Sequence, residues 1–599
     1  MNFLGTELIF GSQTGTARDV ANWLKWRFHE RTYSTEVFEG NDLAADLQIV
    51  SGKLYVFILS TAGNGDPPLN FRRFWDRLFD QGMPRLEGVK IAVFGLGDSK
   101  YPQFNFAARM LFGRLKSLGA VPIIPLGCGD DQHKLGYSQE FIPWFHLLWR
   151  TVFGEDFSPF SHLPKSTVLV DTVSSADPTS PADSAIILSN KRLTHPDHFQ
   201  DIRSISLRLP GVWNYLPGDV LSVLPRVSHD VARKFITEIL DDDPARIVRI
   251  ESKDIHTSVS LMHLFTRILD ITATPNHFFY EVLYHSCLDQ IRDITCLSSE
   301  QETVRDKLEL LAAFTADGVE ERLHYSSRER MSIHEVLFDF KNANVHVPAL
   351  YRLIESIPRI TPRYYSVCNV VCTRRDTKFF PQSRIAFHDV EICAGIVDYT
   401  TLYGRHRRGL ASGFLASLVP GEIVSGSFRM ERGFTSDLPR MISDSQTLIL
   451  VAPGTGIAPA RAIVNRFKET KKILVLSSFR NAKTDFLFKG DFIERWPTSR
   501  NVSSIVAWSR PDTMDRSLDH SWSMWSGSGM GGGTGSAEGR KTWVQDLIPI
   551  HYRKIEEMFK GKCLVIVCGR SHPMPQQVRD ELFKIHRDID SCIVYDTWG

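Results

Sequence analysis

This sequence of 599 residues lacks several features that mark specialised classes of protein. Its nine cysteines are odd in number and include no C-x-x-C pair, which argues against a disulfide framework and against a zinc site. No run approaches about 18 consecutive apolar residues, so we expect no transmembrane helix. The first residues have neither the basic nor the apolar stretch of a secretion signal. A net charge of +1 gives no reason to expect bulk binding of nucleic acid or of an anionic membrane. The expected location is the cytosol.

The chain is too long for one hydrophobic core, and about 100–200 residues per domain predicts three or four domains. Short apolar strands alternate with amphipathic helices at the start of the chain, which predicts a doubly wound parallel sheet within residues 1–154. Residues 155–185 are polar and rich in proline and serine, and we expect a flexible linker there. In the first domain, strands are expected at 7–10, 54–60, 90–94 and 121–125.

The remainder of the chain predicts two further domains. Strand patterns flank a mainly helical stretch at about 228–355, so a helical segment is inserted into a β-domain that spans 186–440. Strands and helices alternate again in 441–599, where a glycine- and serine-rich stretch at 526–539 has low complexity.

A phosphate-binding loop is predicted directly after the first strand. Three hydroxyl side chains and one glycine lead into a helix, so hydroxyls, backbone N–H groups and the helix dipole can surround a phosphate dianion. An ordinary Ser/Thr-capped helix without a ligand would have the same local sequence. The residues of this loop are Ser12, Gln13, Thr14, Gly15 and Thr16.

Further segments follow predicted parallel strands, at the ends where open α/β sheets bind ligands. Glycines let the backbone approach a flavin ring, and Tyr101 can stack on the face of that ring. With the first loop, these segments predict a site for flavin mononucleotide (FMN). The additional residues assigned to it are Ser60, Thr61, Ala62, Gly63, Asn64, Gly65, Gly97, Asp98, Tyr101, Phe104, Asn105 and Asp130.

A second flavin site is predicted around Arg363, Tyr364, Tyr365 and Ser366. Alternate residues of a strand face the same side, an arginine can clamp a pyrophosphate, and a tyrosine can cover a ring. A surface arginine beside two packed tyrosines is the alternative interpretation. A glycine, a hydroxyl and a helix start further along can bind the same pyrophosphate, at Gly409, Leu410, Ala411 and Ser412.

A third site is predicted for a nicotinamide dinucleotide at the strand-to-helix turn Gly454, Thr455 and Gly456. Downstream, Ser509, Arg510 and Lys541 together suit a 2′-phosphate, which favours NADPH over NADH. The alternative for the two cations is solvated surface charge.

Together these motifs resemble the diflavin reductase family over essentially the whole chain. The resemblance implies an α/β multidomain fold with a flavodoxin-like FMN domain, an FAD-binding β-barrel carrying an inserted helical connecting domain, and an NADP-binding doubly wound domain. It implies electron transfer from NADPH to FAD, then to FMN, then to a protein acceptor. It also implies that Ser366, Cys568 and Asp596 assist hydride transfer to FAD. The remaining residues that it assigns are Cys393 and Ala394 on FAD, Trp543 beside the 2′-phosphate, and Trp598 over the FAD ring.

Within that family the chain is similar to the branch that serves cytosolic iron–sulfur assembly. Its features are a start directly at the flavodoxin-like domain without a membrane anchor, a short linker, and the segments 130–136 and 573–575. The branch implies an anamorsin-like iron–sulfur protein as electron acceptor. A haem protein or another redox acceptor, and a redox-inert scaffold, are the alternatives.

Two departures from the family pattern are present. Ala62 stands where many diflavin reductases place a second ring-stacking tyrosine, and the stretch 511–540 separates Arg510 from Lys541 further than usual. A flexible linker at 155–185 is also expected to let the FMN domain swing between FAD and a protein partner.

Overall fold

The computed structural model of the chain divides into two compact units, one formed by residues 1–177 and 227–359 and the other by 178–226 and 360–599. For residues 371–373, 522–524 and 598 the backbone alone is described. The structure describes residues 3–29, 31, 34–43, 49–62, 65–158, 163, 165–177, 184–211, 213–252, 255–292, 296–373, 387–433, 437–510, 522–524, 541–570 and 573–598.

A parallel sheet forms the centre of the first unit. Its strands are β1 (Thr6–Gly11), β2 (Thr35–Glu39), β3 (Leu54–Ser60), β4 (Lys90–Gly97), β5 (Val121–Pro122) and β6 (Gly127–Asp130). The order is β2-β1-β3-β4-β5, with β6 also paired to β4, and every pairing is parallel. The central strands are continuous apolar runs because both faces of the sheet are covered.

Helices cover both faces of this sheet, as a doubly wound fold requires. They are α1 (Thr16–His29), α2 (Gly40–Leu43), α3 (Leu69–Leu78), α4 (Phe106–Ser117) and α5 (Ser138–Phe153). One hydrophobic core lies between the sheet and the pair α1 and α5, and a second lies under α3 and α4. The predicted flavodoxin-like architecture is confirmed.

The helical insert completes the first unit. Its helices are α6 (His229–Lys234), α7 (Leu261–His263), α8 (His277–Ile291), α9 (Ser299–Ala312), α10 (Ala316–Arg322), α11 (Ile333–Asn342) and α12 (Leu350–Ser356). A small antiparallel sheet joins them, formed by β7 (Leu169–Thr172), β11 (Ile247–Glu251) and β12 (His256–Ser260) in the order β12-β11-β7. Part of the segment expected to be a linker is therefore a strand, held by backbone hydrogen bonds to β11.

Aromatic and charged side chains dock the flavodoxin-like domain on the insert. Phe314 follows α9 and stacks on Trp23 of α1, with ring centres 4.2 Å apart. Beside it, buried Arg27 forms an ion pair with buried Glu281 of α8. Trp26 and Phe278 pack with their ring centres 4.0 Å apart. The first unit is thus held together by buried side chains in addition to the connecting backbone.

An antiparallel half-barrel opens the second unit. Its core is apolar and follows the alternation of buried and partly exposed residues along the strands. Its elements are β8 (Ser184–Arg192), β9 (Ile202–Pro210), β10 (Val220–Val223), β13 (Arg363–Thr373), β14 (Phe387–Gly395), β15 (Asp398–Thr400), β16 (His406–Arg408), α13 (Leu410–Ser417), β17 (Ile423–Ser425) and β18 (Phe428–Glu431). The main sheet has the order β17-β8-β9-β14-β13-β10-β18, and β15 pairs with β16.

A second doubly wound module completes this unit. It contains α14 (Leu438–Asp444), β19 (Thr447–Val451), α15 (Ile457–Phe467), β20 (Lys472–Phe479), β21 (Val502–Trp508), β22 (Trp522–Met524), α16 (Leu547–Ile550), α17 (Tyr552–Met558), β23 (Cys563–Arg570), α18 (Met574–Ile585) and β24 (Ile593–Trp598). The order is β22-β21-β20-β19-β23-β24, with β22 antiparallel to β21 and the other pairs parallel. One core joins the module to the half-barrel, because buried residues of both belong to it.

Within the described part of the chain, no helix is long and apolar enough to cross a membrane, and no group of three or more potential metal ligands comes together. The eight cysteines whose side chains are described are free thiols. The glycine- and serine-rich stretch at 526–539 lies outside the described residues.

Candidate functional sites

The loops predicted to bind FMN follow β1, β3, β4 and β6, and all lie at the carboxyl edge of the first sheet. Hydrogen bonds join neighbouring loops at this edge. The Ser60 hydroxyl donates to the carbonyl of Gly11 at 3.1 Å, and the N–H of Thr61 donates to the carbonyl of Leu96 at 3.0 Å. The carboxyl edge is where ligands bind in open parallel sheets.

The first loop curls around the Ser12 hydroxyl. Its oxygen accepts hydrogen bonds from the N–H groups of Gly15 at 2.9 Å and Ala17 at 3.3 Å. Gly15 has a φ of +109°, which favours glycine, and Thr16 is the first residue of α1. Gln13 and Thr14 are exposed. These N–H groups converge on the Ser12 hydroxyl, at a helix start of the kind that can also supply N–H donors to a phosphate dianion.

The second loop turns tightly after β3. The N–H of Ala62 donates to the carbonyl of Asp66 at 2.8 Å, and Gly65 has a φ of +101°. The Thr61 hydroxyl oxygen is buried and has no hydrogen-bond partner among the described residues, so it fits a polar ligand atom. Gly63 and Asn64 lie outside the described residues.

Two of the predicted FMN residues brace the loops from inside. Asn105 is fully buried with a φ of +52°, and its side-chain amide donates to the carbonyl of Gly129 at 2.9 Å. Asp130 accepts hydrogen bonds from the N–H groups of Ser99 at 2.9 Å and Gln132 at 3.0 Å. Burial alone would raise the pKa of Asp130, but these hydrogen bonds outweigh it and the pKa is lowered. Both side chains hold the loops in place.

The aromatic residues of the third loop remain accessible. Tyr101 and Phe104 are half-buried, as are Gly97 and Asp98, and the carbonyl of Asp98 accepts from the N–H of Tyr101 at 3.0 Å. A flat apolar face at the sheet edge suits a ring such as isoalloxazine.

The second predicted flavin site lies at the start of β13, paired with β10. Arg363 is exposed and donates to the carbonyl of Thr361 at 3.0 Å. Tyr365 packs on the half-barrel core, and burial raises its pKa to about 12. Ser366 lies on the other face of the strand, the face on which Cys368 belongs to the core shared with the second module.

The other residues assigned to FAD line the neighbouring strand and helix. Gly409 precedes α13, and the Ser412 hydroxyl accepts from the N–H of Val397 at 3.1 Å. Cys393 and Ala394 of β14 are buried and belong to different cores, so they face opposite sides of the strand. Leu410 and Ala411 form the first turn of α13.

The turn after β19 leads into α15. Gly454 has a φ of +54°, and a β-carbon there would meet no heavy atom within 4 Å, which leaves room for a ligand. Thr455 is half-buried. A β-carbon at Gly456 would lie 2.4 Å from the carbonyl oxygen of Cys568, so the close packing of this turn on β23 requires glycine. Such a turn lets a pyrophosphate approach the helix N–H groups.

The residues predicted to bind a 2′-phosphate meet at the end of β21 in spite of their separation in sequence. The N–H of Thr542 donates to the carbonyl of Trp508 at 3.1 Å, which brings Lys541 beside Ser509 and Arg510. Arg510 and Lys541 are exposed, and the Lys541 ammonium lies 4.9 Å from the ring centre of Trp543. This backbone hydrogen bond places Arg510 and Lys541 at the same strand end in spite of their separation in the sequence.

Cys568 and Asp596 are neighbours across β23 and β24. Burial, together with the charge of Asp596, raises the pKa of the Cys568 thiol well above its ordinary value. Burial raises the pKa of Asp596 to about 6. Trp598 pairs with Arg570 through the backbone, and its side chain lies outside the description.

Arg480, at the end of β20, was not predicted. Its guanidinium lies 4.3 Å from the ring centre of Phe199, and its carbonyl accepts from the N–H of Arg510 at 2.8 Å. The signal in the sequence is a cation directly after the apolar run of β20, at the same sheet edge as the other predicted residues.

Two family models match the chain, Flavodoxin over residues 8–144 and FAD binding domain over residues 180–414. Similar proteins include the NADPH-dependent diflavin oxidoreductase 1 of Xenopus laevis, 32% identical over 76% of this chain and 78% of that protein. The protein of that name in Bos taurus is 31% identical over 86% of this chain and 87% of its own length. That of Arabidopsis thaliana is 28% identical over 95% and 92%.

Proposed function

Since this chain belongs to the diflavin reductase family, as an NADPH-dependent oxidoreductase with FMN and FAD, we propose that it passes electrons to an iron–sulfur protein in cytosolic iron–sulfur cluster assembly. The order of transfer is NADPH, FAD, FMN, acceptor. A bound flavin accepts a hydride and releases its electrons singly, which suits a one-electron acceptor.

The observation that carries the transfer from NADPH to FAD in this proposal is the packing of α15 on β13. The helix begins at the turn suited to a pyrophosphate, and the strand begins at Arg363 and presents Ser366 on the face toward the module. The turn proposed for the dinucleotide and the strand proposed for the flavin are thus joined by one packed core, as direct hydride transfer would require.

The FMN residues supply phosphate donors, ring contacts and bracing. The loop at Ser12 gives N–H groups and hydroxyls to the phosphate, Tyr101 and Phe104 border the ring, and Asn105 and Asp130 hold the loops. The Thr61 hydroxyl, which is buried and has no partner among the described residues, supports a polar ligand atom at this edge.

The hydride-transfer residues each have a distinct part. In this proposal the Ser366 hydroxyl hydrogen-bonds near the flavin ring, and the Cys568 thiol stays neutral and packs beside the nicotinamide. The Asp596 carboxylate stabilises the positive charge that the nicotinamide gains as its hydride leaves. Ser509, Arg510 and Lys541 select NADPH through its 2′-phosphate.

The acceptor is the finer part of the proposal. It is supported by the resemblance of the segments 130–136 and 573–575 to the iron–sulfur assembly branch, and by the one-electron chemistry that two flavins provide. A haem protein is the competing acceptor, and a redox-inert scaffold is the competing class of function.

An acceptor panel separates these possibilities. The full-length protein is reduced anaerobically with NADPH and then mixed with an anamorsin-type iron–sulfur protein, a soluble cytochrome or a microsomal haem protein. We expect reduction of the iron–sulfur protein to be at least tenfold faster than that of any haem protein. Equal or faster reduction of a haem protein refutes the assignment of an iron–sulfur protein as the acceptor. A purified protein without flavin colour supports a redox-inert scaffold.

A further inference from the structure

Arg461 of α15 is a buried cation with two carboxylate partners. Its side chain is 5% exposed. Nη1 donates to Oε2 of Glu391 on β14 at 2.5 Å, and Nε donates to Oδ2 of Asp491 in the same module. The guanidinium lies over the ring of Phe488, with 4.3 Å to the ring centre. The arginine therefore connects the dinucleotide module to the half-barrel.

The half-barrel side of this contact is itself held in place. Oε1 of Glu391 accepts from the Ser204 hydroxyl at 2.6 Å, and Ser204 of β9 is the cross-strand neighbour of Cys393. Cys393 lies two residues after Glu391 on β14. The Arg461 contact thus ends on the strand assigned to FAD.

The other end of the contact is the dinucleotide turn. Arg461 lies in the second turn of α15, the helix that begins directly after Gly456. Arg461 and the turn are connected by little more than one turn of regular helix. Fixing the position of Arg461 therefore also fixes the position of the turn. The surrounding apolar core buries the helix but does not fix its orientation, because hydrophobic contacts are non-directional. Hydrogen bonds from one arginine to two carboxylates fix both the distance and the angle between the elements that carry these side chains.

Stability alone gives a weak reason for this buried network. Replacing a buried ion pair by packed apolar side chains is often neutral or stabilising, because desolvation offsets the attraction between the charges. Geometry gives a stronger reason, since displacing reacting groups by about 1 Å can slow a reaction by about 100-fold.

We propose that Arg461 is a positioning residue for hydride transfer, which sets the dinucleotide turn against the FAD-binding strands through Glu391. It contacts neither NADPH nor FAD in this assignment. Loss of Arg461 therefore lowers the rate of hydride transfer at saturating NADPH and leaves the binding of NADPH and of FAD unchanged.

Three substitutions test the assignment in the full-length flavin-loaded protein. Arg461→Met removes the charge, Arg461→Lys keeps it without the forked geometry, and Glu391→Gln keeps the shape of the partner. Arg495→Met is the matched control, because Arg495 also donates to Asp491, at 2.9 Å, but is 66% exposed and makes no contact with Glu391 among the described ones.

Four quantities are measured for each variant. They are the FMN and FAD content, the affinity for 2′,5′-ADP, the single-turnover rate of FAD reduction at saturating NADPH, and the long-wavelength charge-transfer absorbance between NADP⁺ and reduced flavin. The affinity for 2′,5′-ADP reports the Arg510 region without the nicotinamide.

Arg461→Met is expected to slow FAD reduction by about 10- to 100-fold and to weaken the charge-transfer absorbance. Arg461→Lys should recover part of the rate, and Glu391→Gln should lose about as much as Arg461→Met. Flavin content and 2′,5′-ADP affinity should stay within about twofold in all variants, and Arg495→Met should match the parent protein.

Either of two results overturns the assignment. One is an unchanged rate in Arg461→Met or, if that variant does not fold, in Glu391→Gln. The other is a loss of rate matched by an equal loss of flavin or of 2′,5′-ADP affinity, which marks a purely structural role.

Discussion

At the residue scale, position at a strand end made the site residues predictable. Ser12 and Arg510 follow β1 and β21 at the carboxyl edges of two sheets, where apolar runs followed by polar residues predicted them, whereas Asp596 lies within β24 and was implied only by the family resemblance. What sequence could not supply is the part each side chain plays. Asn105 and Asp130 have polar side chains like the phosphate-loop residues, yet they are buried and hold backbone groups of the protein itself.

The proposed role of Asp596 predicts that the rate of hydride transfer depends on pH. The raised pKa of about 6 means that its carboxyl is neutral below that pH and charged above it, and the charged form favours hydride release. We expect the rate of FAD reduction at saturating NADPH to rise as the pH increases through about 6, and this rise to be absent in Asp596→Asn.

Stopped-flow measurements between about pH 5 and about pH 8 check this. Asp590→Asn is the control, because the pKa of exposed Asp590 is lowered by its hydrogen bond from Arg579. A rise through pH 6 that persists in Asp596→Asn would contradict the assignment.

The proposed contact of Arg510 with the 2′-phosphate predicts a preference for NADPH over NADH. Loss of a charge-assisted contact costs about 1.5–3 kcal/mol, so Arg510→Ala should raise the KM for NADPH by about 10- to 150-fold and leave that for NADH nearly unchanged. Steady-state kinetics with both dinucleotides measure the difference. Arg500→Ala, which removes another exposed arginine of the same module, should change neither. Equal effects of Arg510→Ala on NADPH and NADH would remove the 2′-phosphate assignment.

At the scale of elements, the buried strands were easier to predict than the edge strands. The runs expected at 7–10, 54–60 and 90–94 are β1, β3 and β4, since continuous apolar sequence marks a strand covered on both faces. The edge strand β2 is partly exposed and has only two apolar residues, Val37 and Phe38, so it carries no such signal. The expected strand at 121–125 is reduced to β5, and β6 follows it.

The turn before α15 tolerates no side chain at Gly456. A β-carbon there would lie 2.4 Å from the carbonyl oxygen of Cys568, a backbone atom that cannot move aside cheaply. We expect Gly456→Ala to lower the melting temperature and to weaken NADPH binding together, as followed by calorimetry and by NADPH titration.

Gly490→Ala is the control, because a β-carbon at Gly490 has its nearest neighbour at 3.9 Å, the end of the Glu494 side chain. An alanine at 456 with parental stability and NADPH affinity would show that the turn does not pack on β23 as described.

At the scale of the whole molecule, contacts between distant segments decide the organisation. Arg27 and Glu281 are 254 residues apart, and the local sequence of neither helix indicates that the two side chains pair. The sequence suggested a linker that leaves the FMN domain free to swing, while the first unit buries Arg27, Glu281 and Trp23 between this domain and the insert. Separating the FMN domain from the insert would therefore require these contacts to break.

This buried pair predicts an asymmetric response to substitution. Arg27→Met leaves Glu281 buried without the arginine that pairs with it directly, which should lower the free energy of unfolding by about 3–5 kcal/mol, while the double variant with Glu281→Met should recover most of that loss. Burial already raises the pKa of Glu281. The loss in Arg27→Met should therefore be small where the unfolded carboxyl is protonated and should increase as the pH rises through its raised folded value.

Denaturant unfolding of the parent protein, the two single variants and the double variant, at acid and at neutral pH, measures these free energies of unfolding. The exposed pair of Lys134 and Glu320 across the same two segments is the control, and its loss should cost less than about 1 kcal/mol. Additive losses in the double variant would contradict a buried pair.

As a whole, the molecule holds two different flavins in one chain and relays electrons from NADPH through both. This relay is tested most directly by extracting the flavins from pure, fully loaded protein, quantifying them, and titrating a matched sample anaerobically with NADPH. We predict FMN and FAD in equal amounts, and bleaching of the absorbance of both as NADPH is added. A single kind of flavin at full occupancy, or a second flavin that NADPH never reduces, would contradict the relay.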